Sequence, residues 1–319
     1  MPYWPDFSSW RPDPVVEATM PDEPEANAKL TIRTFSCQEE YEACTDFQEE
    51  VWGRGFSEKV SAAILMIANR LGGLAAGAFD GEGTLHGFVF GLTGMIDGKL
   101  VHWSDMLAVR DEGRDEGLGT RLKRYQRDVL LERGIGEMRW TFDPLQSRNA
   151  HVNFSKLGVE CREYVENMYG ETDSPLHKGI GTDRLVVIWD LGLERPGESV
   201  ETERGGAARG EGGTLRDGFS DLPMALSVLG GGPFPLPGSP VLGLDDSSLL
   251  LPVPAVIDRM MEEDNSLAIL WREATREAFV HYLSRGYEAR DFLRGDEVSF
   301  YLLTGPGGGA EGRKGRAGR

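Results

Sequence analysis

The sequence predicts a protein of the α/β (α+β) class, a mixed and mostly antiparallel sheet flanked by helices. Three observations predict it. Between residues 29 and 191 the apolar spacing alternates between about 2 and about 3.6 residues, the periods of strand and helix. The tetrapeptide Asp80-Gly81-Glu82-Gly83 joins two strand-like runs, which makes their pairing antiparallel. Hydrophobic residues make up 40% of the 319, enough for a packed core and too many for wholesale disorder.

The elements follow in order. Residues 30–35 alternate as a strand. Residues 38–52 and 57–71 carry helical periodicity, with Ser57 offering an N-cap to the second. Residues 74–79 and 85–92 flank the turn, and 100–109 adds a third strand to that meander. A helix over 118–133, a strand over 138–142, a helix over 149–157, a strand past Gly158 and a closing strand over 184–191 complete the block. Strands and helices in this order build a sheet with helices on both faces.

Charge and cysteine usage narrow the function. Lys and Arg number 34 against 52 acids, a net charge of -18, which argues against nucleic acid or an anionic membrane as partner. Three cysteines without a C-x-x-C pair speak against a disulfide framework or a metal site and fit the reducing cytoplasm. No basic start followed by an apolar run marks a signal peptide, and no apolar stretch of about 18 residues is present. A soluble cytoplasmic protein is expected.

Glycine, at 42 residues, divides the chain. Residues 192–240 hold 12 glycines and 6 prolines, and 305–319 hold 7 glycines in a basic tail, so the first reads as a linker and the second as a disordered end. Residues 1–28, with six prolines and no glycine, read as a loosely held acidic arm. Two blocks with ordinary glycine content remain, 29–191 and 241–304.

The segment from Leu107 to Leu122 carries the chemistry. It runs strand, turn, Arg114-Asp115-Glu116-Gly117-Leu118-Gly119, then helix. A glycine turn at a helix N-terminus leaves several N–H groups aimed at one spot, and the helix dipole adds positive potential there, so the turn suits an anion. A tight turn that binds nothing is the alternative. A Rossmann or P-loop reading fails because Leu122 stands where the third glycine belongs and no G-K-[S/T] follows.

This element order and the R-x-x-G-x-G turn resemble the GNAT acyltransferase superfamily and its acetyl-CoA motif. The resemblance implies that Arg114, Gly117, Leu118, Gly119 and Thr120 hold the CoA pyrophosphate. It also implies that the backbone of Leu107, Ala108 and Val109 pairs with the pantetheine arm. Residues 147–159 resemble the family's second motif, which places Asn149 and Phe154 beside the cofactor. The run Trp140-Thr141-Phe142-Asp143-Pro144-Leu145 is similar to that of a little-characterised GNAT subgroup with members that acylate amino acids. The likeness covers 29–191. Asp115 and Glu116 replace the usual Gly, Lys or Arg of the loop, and Phe154 stands where the family often has a Tyr that protonates the CoA thiolate.

Acyl transfer to an amine needs a base and a polarised carbonyl. Asp105, mid-strand, is a candidate base because desolvation there raises a carboxyl pKa, and a paired structural acid is its alternative. Asp143, before Pro144 at a strand end, is a second candidate, with an Asx-type turn as its other reading. His151, on the second-motif helix, is a third candidate and reads first as a solvent-facing residue. Arg184 suits a substrate carboxylate bidentately, or a surface ion pair.

Residues 148–164 and 276–292 align without gaps at an offset of 128, with six identities: Arg148/Arg276, Ala150/Ala278, Val152/Val280, Gly158/Gly286, Glu160/Glu288 and Arg162/Arg290. Residues 241–304 therefore read as a helix–hairpin half-GNAT unit, with convergent amphipathic patterning as the alternative. Its helix presents Leu267, Leu270, Trp271, Ala274, Phe279 and Tyr282 on one face for docking. Docking in cis, or in trans as a homodimer, are both open.

The expectation is an acyltransferase for groups other than aminoacyl, an N-acetyltransferase-like enzyme. It would take acetyl-CoA or another acyl-CoA as co-substrate and a small-molecule amine as acceptor, with direct attack and no metal. The alternative is a non-catalytic acyl-CoA-binding or interaction module.

Overall fold

The computed structural model describes residues 30–56, 58–110, 117–170, 179–193, 219, 221–230 and 233–306. The arm 1–28 lies outside them, as do most of the tail, Ser57, Arg114, Asp115 and Glu116. The chain forms two compact units, Met1–Met138 and Arg139–Arg319.

In the first unit β1 (Thr31–Thr34), β2 (Leu74–Phe79), β3 (Leu85–Ile96) and β4 (Lys99–Val109) lie side by side in that order. Every pairing among them is antiparallel. Helices α1 (Gln38–Trp52) and α2 (Ala62–Arg70) cover one face through Tyr41, Phe47 and Leu65, which pack on Phe35, Phe88 and Phe90. Helix α3 (Leu118–Glu132) covers the other through Leu118, Leu122, Tyr125 and Val129, packed on Leu74, Ala76, Ala78 and Val89. Between two such layers β2 (Leu-Ala-Ala-Gly-Ala-Phe) is buried at every position, and its small residues let both helical layers approach. The Asp80 carboxylate fixes the β2–β3 turn by accepting from the Glu82 and Thr84 N–H groups at 2.9 and 2.8 Å.

Helix α2 starts later than its periodicity predicts. The Gln48 side chain holds Val60 on both sides, accepting from its N–H at 2.7 Å and donating to its carbonyl at 3.0 Å. That keeps residue 60 out of a helical ladder, and Ser61 supplies the cap instead.

The second unit takes up β5 (Glu137–Phe142), whose last four residues belong to it, then α4 (Ser147–Ala150), which continues as a π-helix over His151–Leu157. The helix expected at 149–157 is thus mostly π in register, closed by Gly158 at φ 70°. Next come β6 (Glu160–Val165), β7 (Arg184–Asp190), β8 (Leu226–Leu229), β9 (Leu236–Pro240) and β10 (Ser248–Pro254). Helices α5 (Ile257–Glu263) and α6 (Asn265–Ser284) and strands β11 (Glu288–Leu293) and β12 (Val298–Thr304) close the chain.

Its strand order is β5-β7-β6-β11-β12-β10, a palindrome of two strand–helix–strand–strand runs about the β6–β11 junction. Residue Cys161 faces Ala289 there, in antiparallel pairing, and the two are 128 apart. The β6–β7 register slips between Cys161 and Glu163, and the β11–β12 register slips between Ala289 and Asp291, the same step 128 residues on.

Two expectations change here. The stretch 192–240 is not a linker throughout, since β8 and β9 pair as a two-stranded sheet and Ala225 and Leu226 are fully buried. The Ala225 N–H donates to Leu250, the Leu250 N–H donates to Pro223, and the Trp271 indole donates to Pro235. Prolines suit that role because β10 presents Leu250, Pro252 and Pro254 along this edge, and a proline leaves no N–H for a further strand. On α6, Leu270 points to solvent at 51% exposure, while Arg272 takes a buried place among Trp271, Thr275 and Phe279.

Candidate functional site

Asp105 sits at a β-bulge. Phe90 pairs with Met106 and Gly91 with Ser104, so Asp105 is the extra residue on β4. The bulge switches the faces of the strand. Before it, His102 and Ser104 look toward α3; after it, Leu107 and Val109 do, while Met106 and Ala108 join the α1–α2 core. A residue in that position escapes the alternation that would bury it. Asp105 is exposed, yet the surrounding protein desolvates its carboxyl and raises its pKa, with the Glu58 charge adding in the same direction.

Behind the bulge runs a buried polar relay. The Lys123 ammonium donates to Ser104 at 2.7 Å, Ser104 to Gln126 Oε1 at 2.9 Å, and Gln126 Nε2 to His102 Nε2 at 2.9 Å. Thr93 donates to the Gly72 carbonyl at 2.6 Å, so its oxygen accepts from His102 Nδ1 at 3.0 Å. Only the Nδ1–H tautomer satisfies both neighbours. Burial drives the His102 pKa down to about 3, with Lys123 and Arg133 adding to it, and burial lowers Lys123 to about 7. The relay ties the strand just before the bulge to the second and third turns of α3. A Cβ at Gly91 would lie 2.3 Å from His102 Nε2, so only glycine admits the imidazole.

Helix α3 begins at Gly117, in the left-handed region at φ 83°. The N–H groups of Thr120 and Arg121 turn back to the Gly117 carbonyl at 3.0 and 3.1 Å, so those of Leu118 and Gly119 precede the first helical bond. Gly119 lies against β4: a Cβ there would meet Leu107 at 3.5 Å and Val109 at 3.9 Å, ordinary contact. Packing among the described residues therefore does not require glycine at 119. Gly119 lies against Leu107 and Val109, and Asp105 precedes Leu107 by two residues on β4; Arg114 lies outside the described residues.

The second unit holds the other sequence-predicted residues. Asp143 accepts from the Leu145 N–H at 2.8 Å, an Asx-type turn, and from Arg272 Nη2 at 2.6 Å. Both carboxylate oxygens are therefore engaged, the arrangement that the Asx-type reading of Asp143 expects. Asn149 is exposed on α4. Phe154 is buried and stacks edge-on against Phe142 and Tyr301, at 6.2 and 5.6 Å between centroids, so it serves packing and has no proton to give. Arg184 is half-buried, donates to the Asp183 carbonyl at 3.0 Å and lies over the Tyr169 ring at 5.2 Å, with no carboxylate partner among the described residues. His151 is half-buried.

Sequence reading missed the relay and the α6 arginines. Polar residues on buried helical stripes were the available signal: Lys123 and Gln126 beside Leu122 and Val129, and Arg272 beside Trp271. A glycine inside a strand, Gly91, was the local sign of the bulge.

No family model matches the chain, and no curated protein does. Among solved structures the chain is similar to the NatC complex bound to Gag peptide and CoA, at 14% identity over 51% of this chain and 98% of that one, with a TM-score of 0.41. It is similar to the ribosomal-protein-S18-alanine N-acetyltransferase of Escherichia coli at 15% identity, 53% and 97% coverage and a TM-score of 0.40. For an acetyltransferase of the GNAT family from Streptococcus pneumoniae the values are 15%, 50%, 98% and 0.41. Among the described residues no cluster of three or more His, Cys, Asp or Glu could hold a metal ion, and no helix is long and apolar enough to cross a membrane.

Proposed function

We propose that the chain is an acyl-CoA-dependent N-acyltransferase of the cytoplasm that moves a short acyl group directly onto a small-molecule amine. One observation carries the reading: a strand with a bulged acid runs into a helix that starts on a left-handed glycine, and the second glycine, Gly119, has room for a side chain it lacks. A glycine where packing among the described residues tolerates alanine fits a backbone approached by a ligand. The N–H groups of Leu118 and Gly119, which precede the first helical bond, and the Thr120 hydroxyl would hold a pyrophosphate, with Arg114 as counter-charge. The backbone of Leu107 to Val109 would pair with the pantetheine amides. The element order through β7 and the R-x-x-G-x-G turn support the same assignment.

The thioester supplies the activated acyl group. As the amine nitrogen bonds to the acyl carbon, the thioester C–S bond would break and the CoA thiolate leave, to be protonated by water. Asp105, its pKa raised by desolvation and Glu58, would take the proton of the attacking amine, directly or through water. Asp143, held by Arg272, would keep the turn after β5 in place, and Arg184 would meet an anionic group on the acceptor. Asn149 is assigned to the cofactor.

A second reading, an acyl-CoA-binding module without turnover, is favoured by one finding: Phe154 is locked in the core and cannot protonate a leaving thiolate. Thiol release from acetyl-CoA across an amine panel separates the two. Amine-dependent release supports the enzyme; saturable binding without release supports the module.

A further inference from the structure

Helix α6 places two arginines on the segments that carry Asp143 and Arg184. Arg272 is 2% exposed and reaches Asp143 through Nη2 at 2.6 Å and the Ile180 carbonyl through Nε at 3.1 Å. Its Nη1 is buried with no hydrogen-bond partner among the described residues. Burying a guanidinium is costly even when paired, and its neighbours on the helix, Ala268, Trp271 and Phe279, show that an apolar residue would suit plain packing. What the arginine adds is position, because it joins the turn after β5 to the segment before β7.

One turn on, Arg276 grips Asp183 with both Nε and Nη2, at 2.7 and 2.9 Å. Such a fork fixes direction as well as distance. Asp183 is fully buried and also accepts from the Asn167 N–H at 3.0 Å and the Tyr164 hydroxyl at 2.5 Å. Gly181, at φ 82°, leaves the room: a Cβ there would lie 2.6 Å from Asn167 Oδ1 and 3.4 Å from Arg276 Nη2. The Asp183 carbonyl then takes Arg184, whose guanidinium rests on Tyr169, and the Tyr169 hydroxyl pairs with Thr141 at 3.1 Å.

We propose that Arg272 and Arg276 are positioning residues through which α6 sets the Asp143 turn and the Arg184 guanidinium, so that residues 248–304 hold in place the group assigned to the acceptor. The proposal rests on the acyltransferase reading for what the site does, and on the ion pairs alone for what holds it.

The full chain is assayed for thiol release from acetyl-CoA with glycine, alanine and phenylalanine as acceptors, alongside Arg276→Gln, Arg276→Lys, Arg272→Met and the exposed control Arg259→Gln. Hydrogen exchange at Asn167, Tyr169 and Thr182 is followed in the same proteins. Arg276→Gln is expected to raise the acceptor KM about tenfold while kcat and the acetyl-CoA KM stay within about twofold, with Arg276→Lys in between and Arg259→Gln unchanged. The three amides exchange about tenfold faster in Arg276→Gln. If acceptor and acetyl-CoA KM move together, or neither moves, the proposal is overturned. If the wild type neither binds nor turns over acetyl-CoA, the acyltransferase reading fails instead. Exchange alone then decides whether Arg276 positions the segment, and unchanged amides overturn it.

Discussion

Cys161 and Ala289 face each other across the β6–β11 junction, and they are the same position of a 128-residue sequence echo. Around them Arg162 Nε lies 2.7 Å from Glu288, and Arg290 Nη1 lies 2.5 Å from Glu160. The ion pairs are reciprocal under the same offset. Because Cys161 and Ala289 have no exposed surface while Arg162 is half exposed, shape should matter more here than charge. Ala289→Leu is expected to cost about 1–3 kcal/mol by overpacking, and Arg162→Ala about 1 kcal/mol or less. Urea melts check both.

The two glycines of the turn are expected to fail differently. Gly117→Ala puts a Cβ on a left-handed backbone and should destabilise by about 1 kcal/mol. Gly119→Ala meets only ordinary contacts, so stability should hold while the Kd for acetyl-CoA rises about tenfold. Thermal melts and calorimetry on the same two proteins separate strain from lost ligand approach. Equal CoA binding in Gly119→Ala and wild type would sink the pyrophosphate assignment.

Asp105→Asn should lower amine-dependent thiol release by about a hundredfold or more, with CoA binding unchanged. The sign of its pH dependence follows from its raised pKa: the carboxyl must ionise to act, so activity falls as pH drops through a value above the ordinary carboxylate range. A release rate indifferent to Asp105→Asn assigns the base elsewhere.

Lys123 offers a test of the relay. Its folded pKa lies near 7, below that of an unfolded lysine, so between pH 7 and the ordinary lysine range the unfolded chain binds more protons. Stability of the wild type relative to Lys123→Met should therefore rise with pH across that window. Urea midpoints at neutral and alkaline pH give the comparison, and a flat difference would show that Lys123 is not desolvated.

Local features were readable in the sequence and long-range ones were not. Helix α1 has the bounds expected for it, since Tyr41, Cys44 and Phe47 form its stripe within one segment. Strand β2 likewise matches, a run of apolar residues between turn signals. The bulge at Asp105 depends on how β4 pairs with Phe90 and Gly91, which periodicity within β4 cannot express. Arg272 and Arg276 find their partners 129 and 93 residues away, so their roles became visible only with the fold. Prolines misled the reading of 221–240, because their missing N–H groups end ladders in general but suit strands beside an open edge. The 128-residue echo was readable because it repeats residue types in register.

The measurement closest to the central claim is a calorimetric titration of the full chain with acetyl-CoA, repeated with propionyl- and succinyl-CoA. The expected result is saturable one-to-one binding of at least one of them, weakened in Gly119→Ala. No heat and no thermal shift with any of the three would contradict it.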